Sequence, residues 1–299
     1  MLKVEHVSKK YDDILAVNDL SFTVEEHEIF GLLGVNGAGK TTTFRMIVNL
    51  LEKDSGDITL DGHKIDYSIT DKIGFLPEER SLLLKLTVKE QLMYYATLKG
   101  MSHKDILEKI DYWLKRLHIW ELKDKKLKEI SKGNQQKVQF ISSIINEPRL
   151  LILDEPFTSL DPFNVSLLVD ILKEFSRKNT LVIFSSHRME QVEMFCDKLL
   201  ILVEGKTVLE GKLQEIKNQY RKKKIHITGD ITIEDFQGIE GILSIEKRPD
   251  EYYLTIADDS YISSVFHAIK DKNNITQFVV ENPSLNEIFV SIVGDVYED

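Results

Sequence analysis

A glycine-rich segment near the amino end constrains the fold more than any other feature of the chain. It reads GVNGAGKT, Gly34 to Thr41, and follows the apolar run EIFGLLG. It matches the pattern G-x-x-x-x-G-K-[ST], in which glycines let the backbone curl so that successive N–H groups surround a phosphate. The residues that follow, KTTTFRMIVNLLE, have helical periodicity. A strand, a phosphate-binding loop and a helix in this order predict an α/β fold.

Each residue type in this loop has an expected task toward a nucleoside triphosphate. The Lys40 ammonium is expected to contact the β- and γ-phosphates, and the Thr41 hydroxyl is expected to bind Mg²⁺. The residues predicted to bind the nucleotide here are Gly34, Val35, Asn36, Gly37, Ala38, Gly39, Lys40, Thr41 and Thr42.

Two later apolar runs end in residues suited to phosphate chemistry. RLLILDEP and TLVIFSSH are typical of parallel strands buried on both faces. Asp154 and Glu155 end the first run, at the position where α/β sheets present their ligands. We expect Asp154 to bind Mg²⁺, directly or through water, and Glu155 to polarise the attacking water. His187 ends the second run and is expected to reach the same γ-phosphate. The alternative is that Asp154 and Glu155 are solvated acids at a strand end and that His187 has a structural role.

A second candidate anion site lies downstream, in ISKGNQQK, Ile130 to Lys137. A Ser-x-Gly turn precedes the polar start of a helix, and backbone N–H groups at a helix N-terminus bind anions. The alternative is a plain helix cap, since serine is among the preferred N-cap residues. These residues alone leave open whose phosphate the turn would hold.

Composition excludes several classes of protein. A net charge of −10 disfavours nucleic acid as the main partner, because no basic excess offsets a phosphate backbone. The single cysteine, Cys196, excludes an internal disulfide and fits a reducing cytosol. No signal pattern is visible in MLKVEHVSKKY, and runs such as KLLILV fall short of the roughly 18 residues needed to span a bilayer. We therefore expect that the chain does not cross a membrane by itself.

The pattern of elements predicts two domains, 1–215 and 224–299. The first combines short strands with a helical insert at about 81–146, in which Thr87 and Glu90 form a predicted capping box. The helix DPFNVSLLVDILKEFSRK is opened by Pro162. The domain boundary is expected near 215–224, where the basic run RKKK is predicted to be a solvated hinge rather than a phosphate or lipid patch.

The second domain is predicted to be ferredoxin-like. Its segments read β KIHIT, α TIEDFQGI, β ILSIEKR, β EYYLTIA, α SYISSVFHAIKDK and β ITQFVVE, a split βαβ order. A last helix, SLNEIFVSIVG, is expected to begin at a capping box of Ser284 and Glu287. His226 and His267 lack the neighbouring cysteines and acids of a metal site, so nothing in this domain is predicted to be catalytic.

Over residues 1–215 these motifs together resemble the ATP-binding subunit of an ABC transporter. ISKGNQQK resembles the signature sequence of that family, SLDP with Asp161 resembles its D-loop, and His187 resembles its switch histidine. KKYDDILAVNDLSF resembles the segment that packs on adenine, with Tyr11 stacking and Val17 beneath the base. The resemblance implies a P-loop NTPase core of ABC type, with an antiparallel β subdomain and a helical insert, plus a small α+β C-terminal domain.

The resemblance also implies which phosphate the second anion-binding turn holds. In this family the signature turn closes on the ATP of the partner in a head-to-tail dimer. Carried over, Ser131 would offer its hydroxyl and Gly133 its amide, and Gln135 would support the ribose side. Two departures stand out: Lys132 replaces the usual glycine, and Asn134 stands where glutamine is commoner.

A third departure concerns the metal. In IGFLPEER the residue aligned with the family's magnesium-binding glutamine is Glu78, and we expect it to ligate Mg²⁺. The alternative is a shift of register, with Glu79 or neither residue in that role.

The function implied is ATP hydrolysis that drives export through separate membrane subunits of the ABC-2 type. The expected partners are a second ATP-binding subunit, more readily in a homodimer than a heterodimer, and a transmembrane permease, with ATP and Mg²⁺ as ligands, no nucleic acid, and a place at the cytoplasmic face of the membrane. The alternatives are a soluble ABC ATPase acting on ribosomes or DNA, and an inactive regulatory cassette. Part of an apolar cluster in the insert is expected to receive a short helix of the permease, the rest being core: Leu82, Leu83, Leu84, Leu86, Leu92, Met93, Tyr94 and Tyr95.

Overall fold

The computed structural model describes residues 1–79, 81–220, 222–249 and 251–298. The chain divides into two compact units, Met1–Gly211 and a second unit that starts at Lys212. The division therefore falls a few residues before the expected boundary. Arg221, the first residue of the predicted basic hinge, lies outside the described residues.

The first unit contains ten of the described strands and six α-helices. The strands are β1 (Leu2–Tyr11), β2 (Ile14–Val24), β3 (Ile29–Gly34), β4 (Ser55–Leu60), β5 (His63–Lys64), β6 (Ile73–Leu76), β7 (Leu150–Asp154), β8 (Leu181–Ser186), β9 (Lys198–Val203) and β10 (Lys206–Lys212). The helices are α1 (Lys40–Ile47), α2 (Val88–Leu98), α3 (His103–Arg116), α4 (Lys132–Ile144), α5 (Pro162–Arg177) and α6 (Met189–Glu193), with short 3₁₀ turns at Tyr67–Lys72, Trp120–Leu122 and Leu127–Glu129.

A six-stranded sheet of order β10-β9-β3-β8-β7-β6 forms the centre of this unit. From β9 to β6 neighbouring strands pair in parallel, and every residue of β3, β7 and β8 is buried. The register places Asp154 beside Ser185 and Leu76 beside Leu153. Because the strands are parallel and in step, the residues that follow β3, β6, β7 and β8 lie along one edge of the sheet.

A second sheet, of order β2-β1-β4-β5, is antiparallel. Its buried residues, among them Leu2, Val4 and Leu20, belong to the same apolar core as α1 and the central strands. The rings of Phe22 and Phe30 stack with centroids 5.2 Å apart and join the two sheets. Burial of this shared core is the main source of stability for the unit.

The helical insert begins at the predicted capping box. The Thr87 amide donates to the Glu90 carboxylate at 2.8 Å, and the Glu90 amide donates to the Thr87 hydroxyl at 3.2 Å. Helix α3 buries Trp113, whose ring stacks on Phe175 of α5 at 6.0 Å. This contact fastens the insert to the central layer of the unit.

The apolar cluster of the insert divides between core and surface. Leu92 is fully buried, and Leu82, Leu86, Met93 and Tyr95 are half-buried. Exposed members are Leu83, Leu84 and Tyr94, each with nearly half of its surface accessible. Core packing thus accounts for the buried members and leaves the exposed ones available to a partner.

The second unit is a separate α+β fold with its own core. Its elements are α7 (Leu213–Gln219), β11 (Lys223–Thr228), β12 (Ile242–Arg248), β13 (Glu251–Ile256), α8 (Ile262–Ile269), β14 (Gln277–Glu281) and α9 (Leu285–Glu298). The sheet has the order β12-β13-β11-β14 with every pair antiparallel, which is the ferredoxin-like arrangement. Its core includes Ile225, Ile227, Leu254, Val265 and Ile269.

Two of the predicted details in this unit have different outcomes. The Ser284 amide donates to Glu287 at 2.9 Å and the Glu287 amide donates to Ser284 at 3.3 Å, so the second capping box is confirmed. The prediction of an α-helix over TIEDFQGI is wrong, because Ile233–Phe236 forms only a 3₁₀ turn. Gly238 follows it with φ +81°, a left-handed backbone conformation that ends helical winding.

Among the described helices, none is both long enough and apolar enough to cross a bilayer.

Candidate functional site

A cavity of about 220 Å³ opens at the edge where the parallel strands end. It receives residues from the loops after β3, β6 and β7. Its lining consists of Ala16, Asn36, Gly37, Gly39, Lys40, Thr41, Thr42, Glu78, Asp154 and Glu155. The fold therefore brings the phosphate loop and three carboxylates, far apart in sequence, into one place.

The backbone of the phosphate loop can be adopted only by glycine at two of its positions. Gly34 has φ +154° and Gly39 has φ +104°. A Cβ atom at Gly34 would lie 2.4 Å from the carbonyl oxygen of Leu202, and one at Gly39 would lie 2.4 Å from that of Ala16. Both contacts are with backbone atoms that cannot move aside. A side chain at either position would therefore displace the loop.

Lys40 is folded back onto its own loop. Its ammonium donates to the carbonyl oxygens of Gly34 at 2.7 Å and Val35 at 3.0 Å. Burial lowers the pKa of Lys40, and the charges of Glu155, Asp154 and, more weakly, Glu78 oppose that change. The ammonium is thus held ready beside the cavity by groups that anionic phosphate oxygens can replace.

Loop residues that do not line the cavity support it from behind. Gly34 and Val35 contribute the carbonyl oxygens that hold Lys40. Ala38 is buried in the core of the unit, and Val35 packs against that core.

The oxygen atoms beside Thr41 form the group best suited to a divalent cation. The Thr41 hydroxyl donates to Asp154 Oδ2 at 2.8 Å, and the Ser185 hydroxyl donates to Asp154 Oδ1. Glu78 lines the same cavity, whereas Glu79 is not among its lining residues. Within the described residues no cluster of three or more His, Cys, Asp or Glu forms a closed metal cage. A site with a small number of carboxylates and one hydroxyl fits Mg²⁺, because this ion keeps waters and substrate phosphates as its other ligands.

Glu155 and His187 form a hydrogen-bonded pair at the cavity. Glu155 Oε1 lies 2.8 Å from His187 Nδ1, and the Glu155 amide donates to the Ser185 hydroxyl at 3.0 Å. The Glu155 side chain is 10% exposed and that of His187 is 56% exposed. Burial raises the pKa of Glu155, and the hydrogen bond from His187 partly offsets this. A carboxylate with a raised pKa, oriented by a histidine, is chemically suited to accept a proton from water.

The two residues expected to pack on adenine differ in exposure. Tyr11 is 42% exposed at the end of β1, where its ring is available for stacking. Val17 is fully buried in the core, and its neighbour Ala16 lines the cavity instead. The contact of Val17 with the base stays a prediction.

The signature turn lies outside this cavity. Ser131 is the N-cap of α4, accepting a hydrogen bond from the Asn134 amide at 3.3 Å. As an acceptor in the cap, the Ser131 hydroxyl still has its own hydrogen to donate. The residues lining the cavity, in the described part of the chain, include neither Ser131 nor Gly133 nor Gln135. Ser131 is thus a helix N-cap in the single chain. This role uses the hydroxyl oxygen as an acceptor and leaves the hydroxyl hydrogen available to a ligand.

Two further predicted residues are engaged within the chain. Gln135 Nε2 donates to the carbonyl oxygen of Leu127 at 2.8 Å. Asp161 is the N-cap of α5, accepting from the Asn164 amide at 3.0 Å, and this hydrogen bond lowers the Asp161 pKa. Ser185, which holds both Asp154 and Glu155, was missed from the sequence. Its position in FSSH, directly before the strand end, was the available signal.

The chain matches two protein-family models. Residues 17–158 match the ABC transporter model, and residues 211–293 match the C-terminal domain of DrrA1-3-like ATP-binding proteins. It is 46% identical over 298 residues to the uncharacterised ABC transporter ATP-binding protein YhaQ of Bacillus subtilis (strain 168), covering 100% of both chains. It is 32% identical over 234 residues to the ABC transporter ATP-binding protein NatA of the same organism, covering 76% of this chain and 95% of NatA.

Solved structures also resemble this chain over about three quarters of its length. An ATP-binding subunit of an ABC transporter superposes with a TM-score of 0.69 at 30% identity, covering 74% of this chain and 93% of that one. The dimeric, post-hydrolysis structure of the ATP-binding cassette MJ0796, bound to ADP and Pi, superposes with a TM-score of 0.66 at 24% identity, covering 71% of this chain and 99% of that one. The second likeness concerns the fold alone.

Proposed function

Because the chain belongs to the ABC transporter ATP-binding proteins and is an ABC-type ATPase, we propose that two copies enclose two ATP molecules head to tail and hydrolyse them to drive transport through separate membrane subunits. One observation carries this proposal. The cavity is lined by the phosphate loop and Glu155, and His187 contacts Glu155, while the Ser131 turn lies outside the cavity. A second copy in the opposite orientation would bring the missing donors to the γ-phosphate.

The catalytic groups divide the hydrolysis step among themselves. Lys40 would leave its carbonyl partners for the β- and γ-phosphate oxygens. Glu155 would orient the attacking water and take its proton, and His187 would hold the Glu155 carboxylate while its exposed ring reaches the γ-phosphate. No further base is needed in this scheme.

Magnesium would be held by the oxygen ligands described above. Thr41 and Asp154 are in direct contact with each other, and Glu78 would be the third ligand that the protein supplies to the ion. When bound, the ion would neutralise charge on the β- and γ-phosphates. Because Glu78 is a carboxylate, its charge also attracts the Lys40 ammonium and so adds to the field of the cavity.

The signature turn would act on the partner's ATP. Ser131 retains a hydroxyl hydrogen, and the first amides of α4 point out from a helix N-terminus, where anions bind favourably. Gly133 and Gln135 stand next to it, and Asp161 lies on the adjacent loop. Since both halves of a composite site are present in one chain, a homodimer is sufficient.

A permease partner has a suitable surface on the helical insert. A groove of about 580 Å³ lies between the loop after β6 and helix α2, and Leu82, Phe75 and Tyr95 are among its mainly apolar lining residues. The exposed Leu83 and Leu84 follow it in the chain. A short helix of a membrane subunit would fit this groove, which would keep the chain at the cytoplasmic face of the membrane and couple it to export.

The other functions considered have less support. The two relatives and one of the two structures described above are named for ABC transporters, and none of the four is named for ribosomes or DNA. An inactive cassette would not need the paired Glu155 and His187 or the Lys40 position described here.

The decisive experiment replaces Glu155 by glutamine. Glu155→Gln keeps the size of the side chain and removes its basicity, so hydrolysis should fall by roughly 10² to 10⁴-fold. With Mg-ATP the variant should accumulate as a dimer in light-scattering chromatography. Adding Ser131→Ala to it should weaken that dimer.

The matched control is Glu251→Gln, a glutamate beside a histidine in the second unit. It should hydrolyse ATP like the unchanged chain. Hydrolysis by Glu155→Gln at the normal rate, or undiminished hydrolysis by a strictly monomeric preparation, would disprove the proposal.

A further inference from the structure

Helix α4 carries two buried glutamines whose amides both point out of the helix. Gln136 and Gln139 are three residues apart and therefore lie on the same side of α4. Each of these two residues is only 4% exposed to solvent. Each amide donates to a backbone carbonyl on a different loop, and both loops belong to the ATP site.

Gln136 holds the loop that carries Glu155. Its Nε2 donates to the carbonyl oxygen of Pro156 at 3.0 Å. Pro156 follows Glu155 directly in the chain. A movement of the Glu155 backbone therefore pulls on α4 through a single buried hydrogen bond.

Gln139 holds the loop that carries Glu78. Its Nε2 donates to the carbonyl oxygens of Pro77 at 2.9 Å and Glu79 at 3.4 Å. These are the two residues that flank Glu78. The amide thus fixes the backbone on either side of the carboxylate proposed to bind the metal.

Packing alone does not account for an amide at position 139. Gln139 Oε1 is buried and has no hydrogen-bond partner among the described residues. Leaving such an acceptor unsatisfied destabilises the fold unless a water reaches it. An apolar side chain of the same shape would avoid that cost. The contribution of this residue is therefore the pair of hydrogen bonds that its Nε2 donates.

The amino end of α4 is the signature turn, one to two helical turns from the two glutamines. Ser131 caps the helix, and a Cβ atom at Gly133 would lie 2.9 Å from the carbonyl oxygen of Ser159, so the turn also packs closely on the loop after Glu155. A helix of 13 residues moves as a rigid body on this scale. Any shift transmitted by the two glutamines therefore reaches the turn.

We propose that Gln136 and Gln139 are positioning residues that link the two carboxylate loops of a chain's own ATP site to the signature turn that contacts the partner's ATP. Occupancy of one site then sets the position of the donors that complete the other. This inference rests on the head-to-tail dimer proposed above. It adds a route by which the two sites of that dimer act together.

The test separates nucleotide binding within one chain from closure across the dimer. Gln136→Met and Gln139→Met remove the amide and keep a similar shape; each is placed in the Glu155→Gln background. Gln91→Met is the matched control, since Gln91 is fully buried and lines the same groove as Gln139, but its Oε1 accepts from the Leu83 amide instead of contacting the carbonyl groups beside Glu78 or Glu155. Affinity for a fluorescent ATP analogue is measured at protein concentrations that keep the chain monomeric. The ATP-dependent dimer constant is measured by analytical ultracentrifugation.

We expect both α4 variants to bind the analogue within about twofold of the parent. Their dimer dissociation constants should rise about tenfold, as expected for loss of a buried hydrogen bond. The control should change neither quantity. Gln139→Leu, which also lacks the donor, repeats the test if Gln139→Met does not fold.

Two results would overturn the inference. One is a dimer constant equal to that of the control. The other is a loss of monomer binding as large as the loss of dimerisation, since the glutamines would then support only their own site. If the parent itself stays monomeric with Mg-ATP, the proposed function has failed, and the inference fails with it.

Discussion

In each of the two units a histidine side chain lies beside a glutamate, and the surroundings of the two pairs differ. In the first unit, His187 lies 2.8 Å from Glu155, with the glutamate 10% exposed and the histidine 56% exposed. In the second, His226 lies 3.4 Å from Glu251, with the histidine 15% exposed and the glutamate 38% exposed. The residue types are the same, and the exposure is reversed.

The difference follows from the type of sheet. Glu155 and His187 follow neighbouring parallel strands, so both lie at one edge beside the phosphate loop. His226 and Glu251 lie within an antiparallel sheet, where the His226 ring stacks on that of Tyr253 with centroids 4.4 Å apart. In a parallel sheet the carboxyl ends of all strands lie at the same edge, whereas in an antiparallel sheet the carboxyl ends of neighbouring strands lie at opposite edges. The polar residues of the candidate site therefore lie together at one edge of the first sheet. His226 and Glu251, in contrast, are part of a packed surface of the second sheet.

Replacing each histidine by alanine is the strongest way to break this comparison. His187→Ala should lower kcat for ATP hydrolysis by roughly 10²-fold or more, because Glu155 loses the group that orients it. Nucleotide affinity should change little, since the phosphate loop is intact. His226→Ala should hydrolyse at the normal rate within about twofold. Steady-state kinetics of both variants check this, and equal losses would show that the two pairs are not distinct in function.

The pH dependence of hydrolysis sharpens the same comparison. Burial raises the pKa of Glu155, so the carboxylate takes up a proton at a higher pH than an ordinary glutamate does. The protonated form cannot accept a proton from water. As pH falls through this raised pKa, kcat should therefore decrease by about tenfold per unit.

The measurement is kcat at saturating Mg-ATP between about pH 5 and 8, the range in which folded proteins are usually stable. His226→Ala should give the same profile as the unchanged chain. A profile that stays flat down to about pH 5 would exclude a base of raised pKa, and with it Glu155 in that role.

The smallest expected effect concerns the independence of the two units. Thr87→Ala and Ser284→Ala each remove a confirmed capping box, one in each unit, and each should cost about 1 kcal/mol of unfolding free energy. The two tryptophans, Trp113 and Trp120, both lie in the first unit. Tryptophan fluorescence in a denaturant titration should therefore shift for Thr87→Ala and not for Ser284→Ala. A shift in both would mean that the units unfold together.

Local signals in the sequence predicted the elements well where several agreed. Thr87 with Glu90 and Ser284 with Glu287 form the capping boxes that their spacing predicts, and Pro162 opens its helix. The segment TIEDFQGI has too few buried positions to hold an α-helix, since of its 3₁₀ turn only Phe236 is buried. Its helical pattern therefore lacked the tertiary packing that stabilises most helices, and Gly238 ends the turn.

Contacts between segments distant in sequence were harder to predict. Ala16 rather than Val17 faces the cavity, and Ser185 joins Asp154 and Glu155. Gln136 was read only as part of a polar helix start. Its partner, Pro156, is separated from it by a helix and a strand, and no periodicity encodes that meeting.

The amino-acid sequence by itself determined the phosphate loop and most of the order of strands and helices, because glycine conformations, capping side chains and apolar runs act over a few neighbouring residues. The tertiary structure alone decided which of these residues share a cavity and which do not. It brings Lys40, Asp154 and Glu155 together and leaves Ser131 outside, since the parallel register of the central strands sets where their loops meet. That separation, fixed by sheet packing over long sequence distances, is the physical reason to expect a second copy at the site.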